Sequence, residues 1–281
     1  MYPYDIIPNT GINLYVICLG LAAVAAILSF SKLADVAGIS AKVQNLSLYT
    51  AILAIVLGYG SAVLFQAFYN MIADGAFALD KGTGSTFYGG LIGGVVSFIA
   101  IYFLWGNFKF DDDTHKREFI KVVNVAPASI TIAHGIGRIG CLMAGCCHGP
   151  QTDSWCGISM IKRINVNGTI KDVSIKYVPT QLFEAIFLFF MFALMVYFIF
   201  KKKTYNMPVY MVGYGFWRFL LEYLRADDRG ATVISWLTPS QLIAVIMIIS
   251  GIVLFVILKK VTPLNTEDNG DVSVEKESSD E

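Results

Sequence analysis

Two arginines stand inside apolar runs of this chain, and the residues around them set the chemistry that is open to it. In His134-Gly135-Ile136-Gly137-Arg138-Ile139-Gly140-Cys141 a histidine, an arginine and three glycines share one stretch. On a helix His134 and Arg138 are four apart and Cys141 is three further, so all three share a face. A planar guanidinium offers a fork of donors that matches two oxygens of a phosphate at once. Gly137 and Gly140 beside it let a backbone or a head group approach closely. The alternative is an arginine that pairs with a carboxylate and only locks helices together. In Gly213-Tyr214-Gly215-Phe216-Trp217-Arg218 and the following Glu222, the spacing puts Tyr214, Arg218 and Glu222 on one polar stripe of an aromatic helix. Glu222 then either neutralises Arg218 locally as an i,i+4 pair or leaves it to meet Arg138 on a shared anion. Glu184 is a second candidate partner, and spacing alone does not decide which acid meets which arginine.

A third segment, Phe87-Tyr88-Gly89-Gly90-Leu91-Ile92-Gly93-Gly94, has overlapping Gly-x-x-x-Gly spacings. Close helix packing explains Gly89 and Gly90 without chemistry, and Tyr88 suits an interfacial anchor. Cysteines 141, 146, 147 and 156 cluster in sequence with His148, whereas Cys18 stands alone in an apolar run. A metal site, a disulfide to Cys156 and plain packing are all open. Cys-x4-Cys-Cys-His is not a standard zinc spacing, and an oxidising outer face favours a disulfide.

The elements that must position these residues are membrane spans. The 281 residues are 56% hydrophobic and only 15% charged, against about 25% charged in a soluble domain. Disordered, collagenous and disulfide-scaffold classes are excluded, and zero net charge argues against nucleic acid as a partner. The charge is unevenly spread, because after Asn265 the chain holds seven acids and one lysine. That end, within 265–281, reads as a disordered acidic tail on a polytopic membrane domain of residues 1–264.

Crossing a hydrocarbon core takes about 20 apolar helical residues. Five runs qualify clearly: Leu14–Phe30, Leu48–Met71, Phe87–Trp105, Leu182–Phe200 and Leu242–Leu258. Val122–Met143 and Val209–Tyr223 are weaker, each interrupted by its arginine. Seven spans place the ends on opposite sides. Lys and Arg number twelve on the side away from the N-terminus and seven on its own side. The positive-inside rule therefore expects the N-terminus outside and the tail in the cytoplasm. No Lys or Arg precedes the first run, which makes it a span rather than a cleaved signal.

The fold expected is an all-α membrane protein of about seven transmembrane helices with a small external β-ribbon. The ribbon falls in the external loop 148–180, where Asn167-Gly168 separates alternating runs Ile161–Val166 and Ile170–Val178. Asn-Gly between such runs is a strong hairpin signal. Two outward loops end alike, in Pro179-Thr180-Gln181-Leu182 and Pro239-Ser240-Gln241-Leu242. Helix-start grammar accounts for both phrases. Both enter the membrane in the same direction, so they do not suggest an inverted transporter repeat.

In order along the chain, these residues resemble the prolipoprotein diacylglyceryl transferases. The match runs through Tyr88-Gly89-Gly90-Leu91, Gly137-Arg138-Ile139-Gly140, Gly149, Pro179-Thr180-Gln181-Leu182-Phe183-Glu184, and Tyr214-Gly215-Phe216-Trp217-Arg218-Phe219 leading into Glu222-Tyr223-Leu224-Arg225. Tyr15 is a weaker match near the start. The resemblance covers roughly residues 85–245. It implies a seven-span protein of the bacterial plasma membrane that moves a diacylglyceryl group from phosphatidylglycerol to the lipobox cysteine of a prolipoprotein, releasing glycerol phosphate. Substrate-binding positions carried over are Tyr15, Gly89, Gly90, Gly137, Gly140, Gly149, Gln181, Glu184, Tyr214 and Glu222. The family usually has His where this chain has Tyr88, Asn at Cys141 and Glu at Cys146, so the chain resembles a cysteine-rich branch.

The chemistry implied is displacement at a glycerol carbon by a thiolate, with a phosphate ester leaving. Arg138 and Arg218 are the catalytic candidates for the developing phosphate charge. His134 and Tyr88 are candidates for taking the thiol proton, with His134 preferred for its ordinary pKa. No metal or organic cofactor is required for this scheme. The rival classes are a transporter or binding protein for an anionic phospholipid, and a cysteine-based membrane redox sensor.

Overall fold

The computed structural model describes residues 6, 11–75, 79, 83–84, 86–166, 169–225 and 237–261. Its elements in order are α1 (Leu14–Val36), α2 (Ala41–Asp74), α3 (Phe87–Lys109), α4 (Thr114–Ala144), β1 (Ile158–Val166), β2 (Thr169–Tyr177), α5 (Thr180–Phe200), α6 (Asn206–Leu221) and α7 (Pro239–Val261). A single 3-10 turn, Glu222–Leu224, follows α6. Among the described residues six helices are long and apolar enough to cross a membrane, and the chain is a multi-pass membrane protein. The exception is α6, whose 16 residues rise about 24 Å against a core roughly 30 Å thick. The expected span Val209–Tyr223 is thus a shorter helix that tightens into the 3-10 turn at Glu222.

Two compact units divide the chain: Met1–Ala26 with Pro127–Glu281, and Ile27–Ala126. In the second unit, α2 and α3 pack through glycines. A Cβ at Gly89 would sit 2.5 Å from the Phe65 Cβ, and one at Gly58 3.0 Å from the Gly90 carbonyl oxygen. The Ser61 hydroxyl donates to the Gly89 carbonyl at 2.9 Å. Helix packing is therefore what Gly89 and Gly90 do here, and Tyr88 stands half-buried in the first turn of α3. On the far face of α2, Ile52, Ile55, Val56 and Tyr59 are exposed, as lipid-facing side chains are. At the start of α4, the Thr114 hydroxyl donates to Asp112 at 2.6 Å. That bond and the Thr114 backbone N–H hold the Asp112 carboxyl below its ordinary range.

The first unit carries the ribbon. Strands β1 and β2 pair antiparallel from Ile158↔Tyr177 to Val166↔Thr169. The Asn167-Gly168 turn expected between them lies outside the described residues, as does the acidic tail. Gly215 lets α6 approach α7, where a Cβ would meet the Ala244 carbonyl oxygen at 3.0 Å. The Pro-Ser-Gln-Leu phrase at α7 is a capping box. The Thr238 hydroxyl accepts from the Gln241 N–H at 3.3 Å, and the Gln241 side chain accepts from the Thr238 N–H at 3.1 Å. Pro239 fills the first helical position, where no donor is needed.

Candidate active site

The first unit gathers the membrane arginines' polar neighbours around three helices. On α4, His134, Arg138 and Cys141 recur at helical spacing on one face, as the sequence predicts. Arg138 Nε lies 2.9 Å from Glu184 Oε2. Glu184, in the first turns of α5, is fully buried. Its other oxygen accepts from the Tyr214 hydroxyl of α6 at 2.9 Å. His134 Nε2 is 3.6 Å from the same oxygen, beyond a good hydrogen bond, and its ring meets the Tyr214 ring edge-on with centroids 5.3 Å apart. One buried carboxylate therefore ties α4, α5 and α6 together.

Arg218 has a separate carboxylate. Its Nη2 lies 2.7 Å from Glu222 Oε2 and donates to the Ser240 hydroxyl at 2.9 Å. Glu222 in turn accepts from the Thr238 hydroxyl at 2.9 Å. The i,i+4 pairing is thus formed, and the capping segment of α7 completes it. Arg218 Nη1 is buried and has no hydrogen-bond partner among the described residues. A buried donor left unmade costs about 1–3 kcal/mol, which makes that nitrogen a position where an incoming acceptor is favoured.

Glycines shape the approach to Arg138. Nothing lies within 4 Å of a Cβ added at Gly137, so the helix face at that glycine is open. Gly140 is the opposite case, since a Cβ would sit 2.9 Å from the Cys18 Cβ and 3.2 Å from the Tyr15 ring. The resemblance-based position Tyr15 thereby comes beside the Arg138 helix. Gly149 is the tightest of these three: a Cβ there would be 2.5 Å from the Leu224 carbonyl oxygen. Across α5 and α6 a groove of about 420 Å³ is lined by Phe183, Ile186, Phe187, Phe190 and Trp217. The Phe187 and Trp217 rings stack within it, 4.5 Å apart.

The cysteine segment is arranged by the end of α4. Gly145 adopts φ +67°, and its N–H bonds the Leu142 carbonyl at 3.1 Å while the Cys146 N–H bonds that of Cys141 at 3.1 Å. This is a Schellman cap, whose six-to-one bond folds Cys146 back over Cys141. Cys147 then takes φ +60°, a left-handed conformation rare for a residue with a Cβ and costing about 1–2 kcal/mol. As a result the sulfurs of Cys141, Cys146 and Cys147 all lie within 4.8 Å of one another. The loop is clamped by the start of α5: the Thr180 hydroxyl donates to the Cys147 carbonyl at 2.9 Å, and the Gln181 amide donates to the Cys146 carbonyl.

The five-residue cluster read from sequence is therefore narrower in space. All five cysteines of the chain are free thiols. Cys156 instead lies 3.1 Å from the Ser154 hydroxyl, and His148 stacks on Tyr177 with centroids 3.9 Å apart. Hydrogen bonds from the Cys141 and Cys146 thiols, then from Arg225, push the Cys147 thiol well below its ordinary range. Cys146 is moved the other way: its bond with Cys141 is outweighed by the one it gives Cys147 and by burial.

Sequence reasoning had no signal for Thr180, Arg225, Thr238 or Ser240 as partners, because each contact is made between distant segments. Tyr88, Gly89 and Gly90 belong to the other unit. The remaining candidates, including Gly137, Gly140, Gly149 and Gln181, lie in this one.

A family model described as prolipoprotein diacylglyceryl transferase matches residues 4–257. A phosphatidylglycerol–prolipoprotein diacylglyceryl transferase 2 of Clostridium perfringens is 31% identical over 252 residues, covering 87% of this chain and 90% of its own. A phosphatidylglycerol–prolipoprotein diacylglyceryl transferase of Clostridium tetani is 31% identical over 188 residues, 66% of this chain and 69% of its own. The same-named protein of Finegoldia magna is 28% identical over 232 residues, 78% of this chain and 83% of its own. No solved structure matches the chain.

Proposed function

The chain belongs to the prolipoprotein diacylglyceryl transferase family, and we propose that it transfers a diacylglyceryl group from phosphatidylglycerol to the lipobox cysteine thiol of a prolipoprotein, releasing glycerol phosphate. The observation that carries the site assignment is the buried Arg218 Nη1 without a hydrogen-bond partner among the described residues. Glu222 and Ser240 already fix the orientation of that guanidinium. Preorganised donors of this kind are often the largest single catalytic contribution. Arg138, held by Glu184 with its side chain partly exposed, is the second donor.

The remaining groups take supporting roles. Tyr214 holds Glu184, and through it the orientation of Arg138. His134 is the side chain on this face suited to accept the thiol proton. The aromatic groove across α5 and α6 offers an apolar wall to an acyl chain. The N-terminus faces outside and the acidic tail lies in the cytoplasm, so the ribbon faces the side from which prolipoprotein arrives.

The test is purified protein with labelled phosphatidylglycerol and a lipobox peptide, followed by mass spectrometry for the thioether product. Lipid moved between vesicles without thioether formation would replace this reading with that of a lipid transporter.

A further inference from the structure

We infer that Cys141, Cys146 and Cys147 form a three-thiolate zinc site whose open fourth position takes the acceptor thiol. The role in activation rests on the transferase reading; the metal site itself does not. The three sulfurs already lie within 4.8 Å of one another, and closing by about 1 Å brings them to the roughly 3.8 Å spacing of a tetrahedral zinc with bonds of about 2.3 Å. Thiolates are soft ligands that favour zinc over magnesium or calcium. Zinc sites with three protein ligands keep a fourth position for water or substrate.

Three further observations fit that ion. The left-handed Cys147 and the Schellman cap hold the loop in an uncommon shape, and Thr180 and Gln181 of α5 clamp its carbonyls. Backbone contacts therefore hold the sulfurs together alongside the hydrogen bonds among the thiols. The Arg225 guanidinium stands beside Cys147, and three thiolates with a zinc dication leave one negative charge for it to balance. His148 and Cys156 are engaged elsewhere, His148 with Tyr177 and Cys156 with Ser154, and so do not close the fourth position.

The placement suits the reaction. Cys141 follows Arg138 by three residues on α4, a rise of about 4.5 Å. The Gln181 that clamps the thiol loop precedes Glu184, the Arg138 partner, by three on α5. A thiolate on zinc would thus lie about one helical turn from the guanidinium that holds the phosphate. The acceptor R–SH displaces zinc-bound water, and its proton passes to solvent by way of His134. Its sulfur then attacks the glycerol carbon that bears the phosphate, forming the C–S bond. The C–O bond breaks, and its electron pair leaves on the phosphate oxygen of glycerol phosphate. The neutral thioether is a weaker ligand than the thiolate, so product departs and water returns.

The experiment uses the full chain, purified in detergent under reducing conditions without chelator. Elemental analysis should find about one zinc per chain, and X-ray absorption should show sulfur neighbours at about 2.3 Å. Cys141→Ser, Cys146→Ser and Cys147→Ser should each lose the zinc, while Cys156→Ser keeps it. Replacement by cobalt should give a thiolate-to-cobalt absorption band in wild type, a readout that needs no variant to fold. Reduced wild type without stoichiometric zinc, or uptake of copper(I) but not zinc, would each overturn the site. A free thiol is only about 3% ionised at pH 7, so stripping zinc should lower thioether formation about 30-fold, recovered on adding zinc back. Bound zinc whose removal leaves turnover unchanged would overturn the activating role. Zinc-loaded protein that makes no thioether at all would count against the transferase reading, with the metal site standing.

Discussion

Replacing Glu184 with glutamine removes one negative charge from the centre of the site and leaves its shape almost unchanged. The carboxylate is fully buried and meets Arg138 Nε and the Tyr214 hydroxyl at 2.9 Å each. With an effective dielectric constant near 20, a charge pair at that separation is worth about 6 kcal/mol before desolvation. Removing one partner of a buried pair typically destabilises by about 3–5 kcal/mol, because the other charge is left uncompensated. The amide of Glu184→Gln can still accept from Tyr214, so most of the loss should come from Arg138. A double variant, Glu184→Gln with Arg138→Met, removes the stranded cation and should recover at least about 2 kcal/mol relative to additivity. The assay is equilibrium unfolding in mixed micelles by a denaturing detergent, for wild type, both single variants and the double. If the two losses add within about 0.5 kcal/mol, the residues do not act as a pair and the central role given to Glu184 is wrong.

Arg138→Lys and Arg218→Lys should each insert normally and lose at least about 100-fold in turnover, because lysine keeps the charge without the planar two-point grip; near-normal thioether formation by either would demote that arginine to a structural ion pair. Gly149→Ala should destabilise the protein by about 1–3 kcal/mol in the same unfolding assay, since its Cβ meets a carbonyl oxygen of the backbone. Gly137→Ala should leave stability within about 0.5 kcal/mol of wild type because its surroundings are open, and equal losses at the two glycines would contradict this packing. Turnover of His134→Gln across roughly pH 6 to 9 should fall more than that of Tyr88→Phe; a dead Tyr88→Phe beside an active His134→Gln reverses the preference. Protease added to intact spheroplasts should spare the tail after Leu264, and cleavage from outside would invert the orientation of every residue in the site.

Local pattern was enough for the helices, the ribbon and the membrane. A stretch of some twenty apolar residues has few alternatives to a spanning helix, because lipid cannot satisfy an open backbone. Alternation on either side of Asn167-Gly168 sets a register that ends at the pair Val166↔Thr169. The motif residues were legible too, since charge inside an apolar run stands out and helical spacing groups His134 with Arg138, and Tyr214 with Arg218. Two things were not legible. The pairing of acids with arginines depends on which helices are neighbours: Glu184 is 46 residues from Arg138 in sequence and 2.9 Å away in space. The cysteines looked like one group of four with His148, but a single left-handed glycine at the end of α4 selects three of them. Gly145 turns the chain so that the Cys146 N–H reaches the Cys141 carbonyl, and Cys156 and His148 are carried past to Ser154 and Tyr177. Sequence determined which groups were available; tertiary packing decided which came within bonding distance, because those contacts join segments whose separation along the chain encodes nothing about their distance.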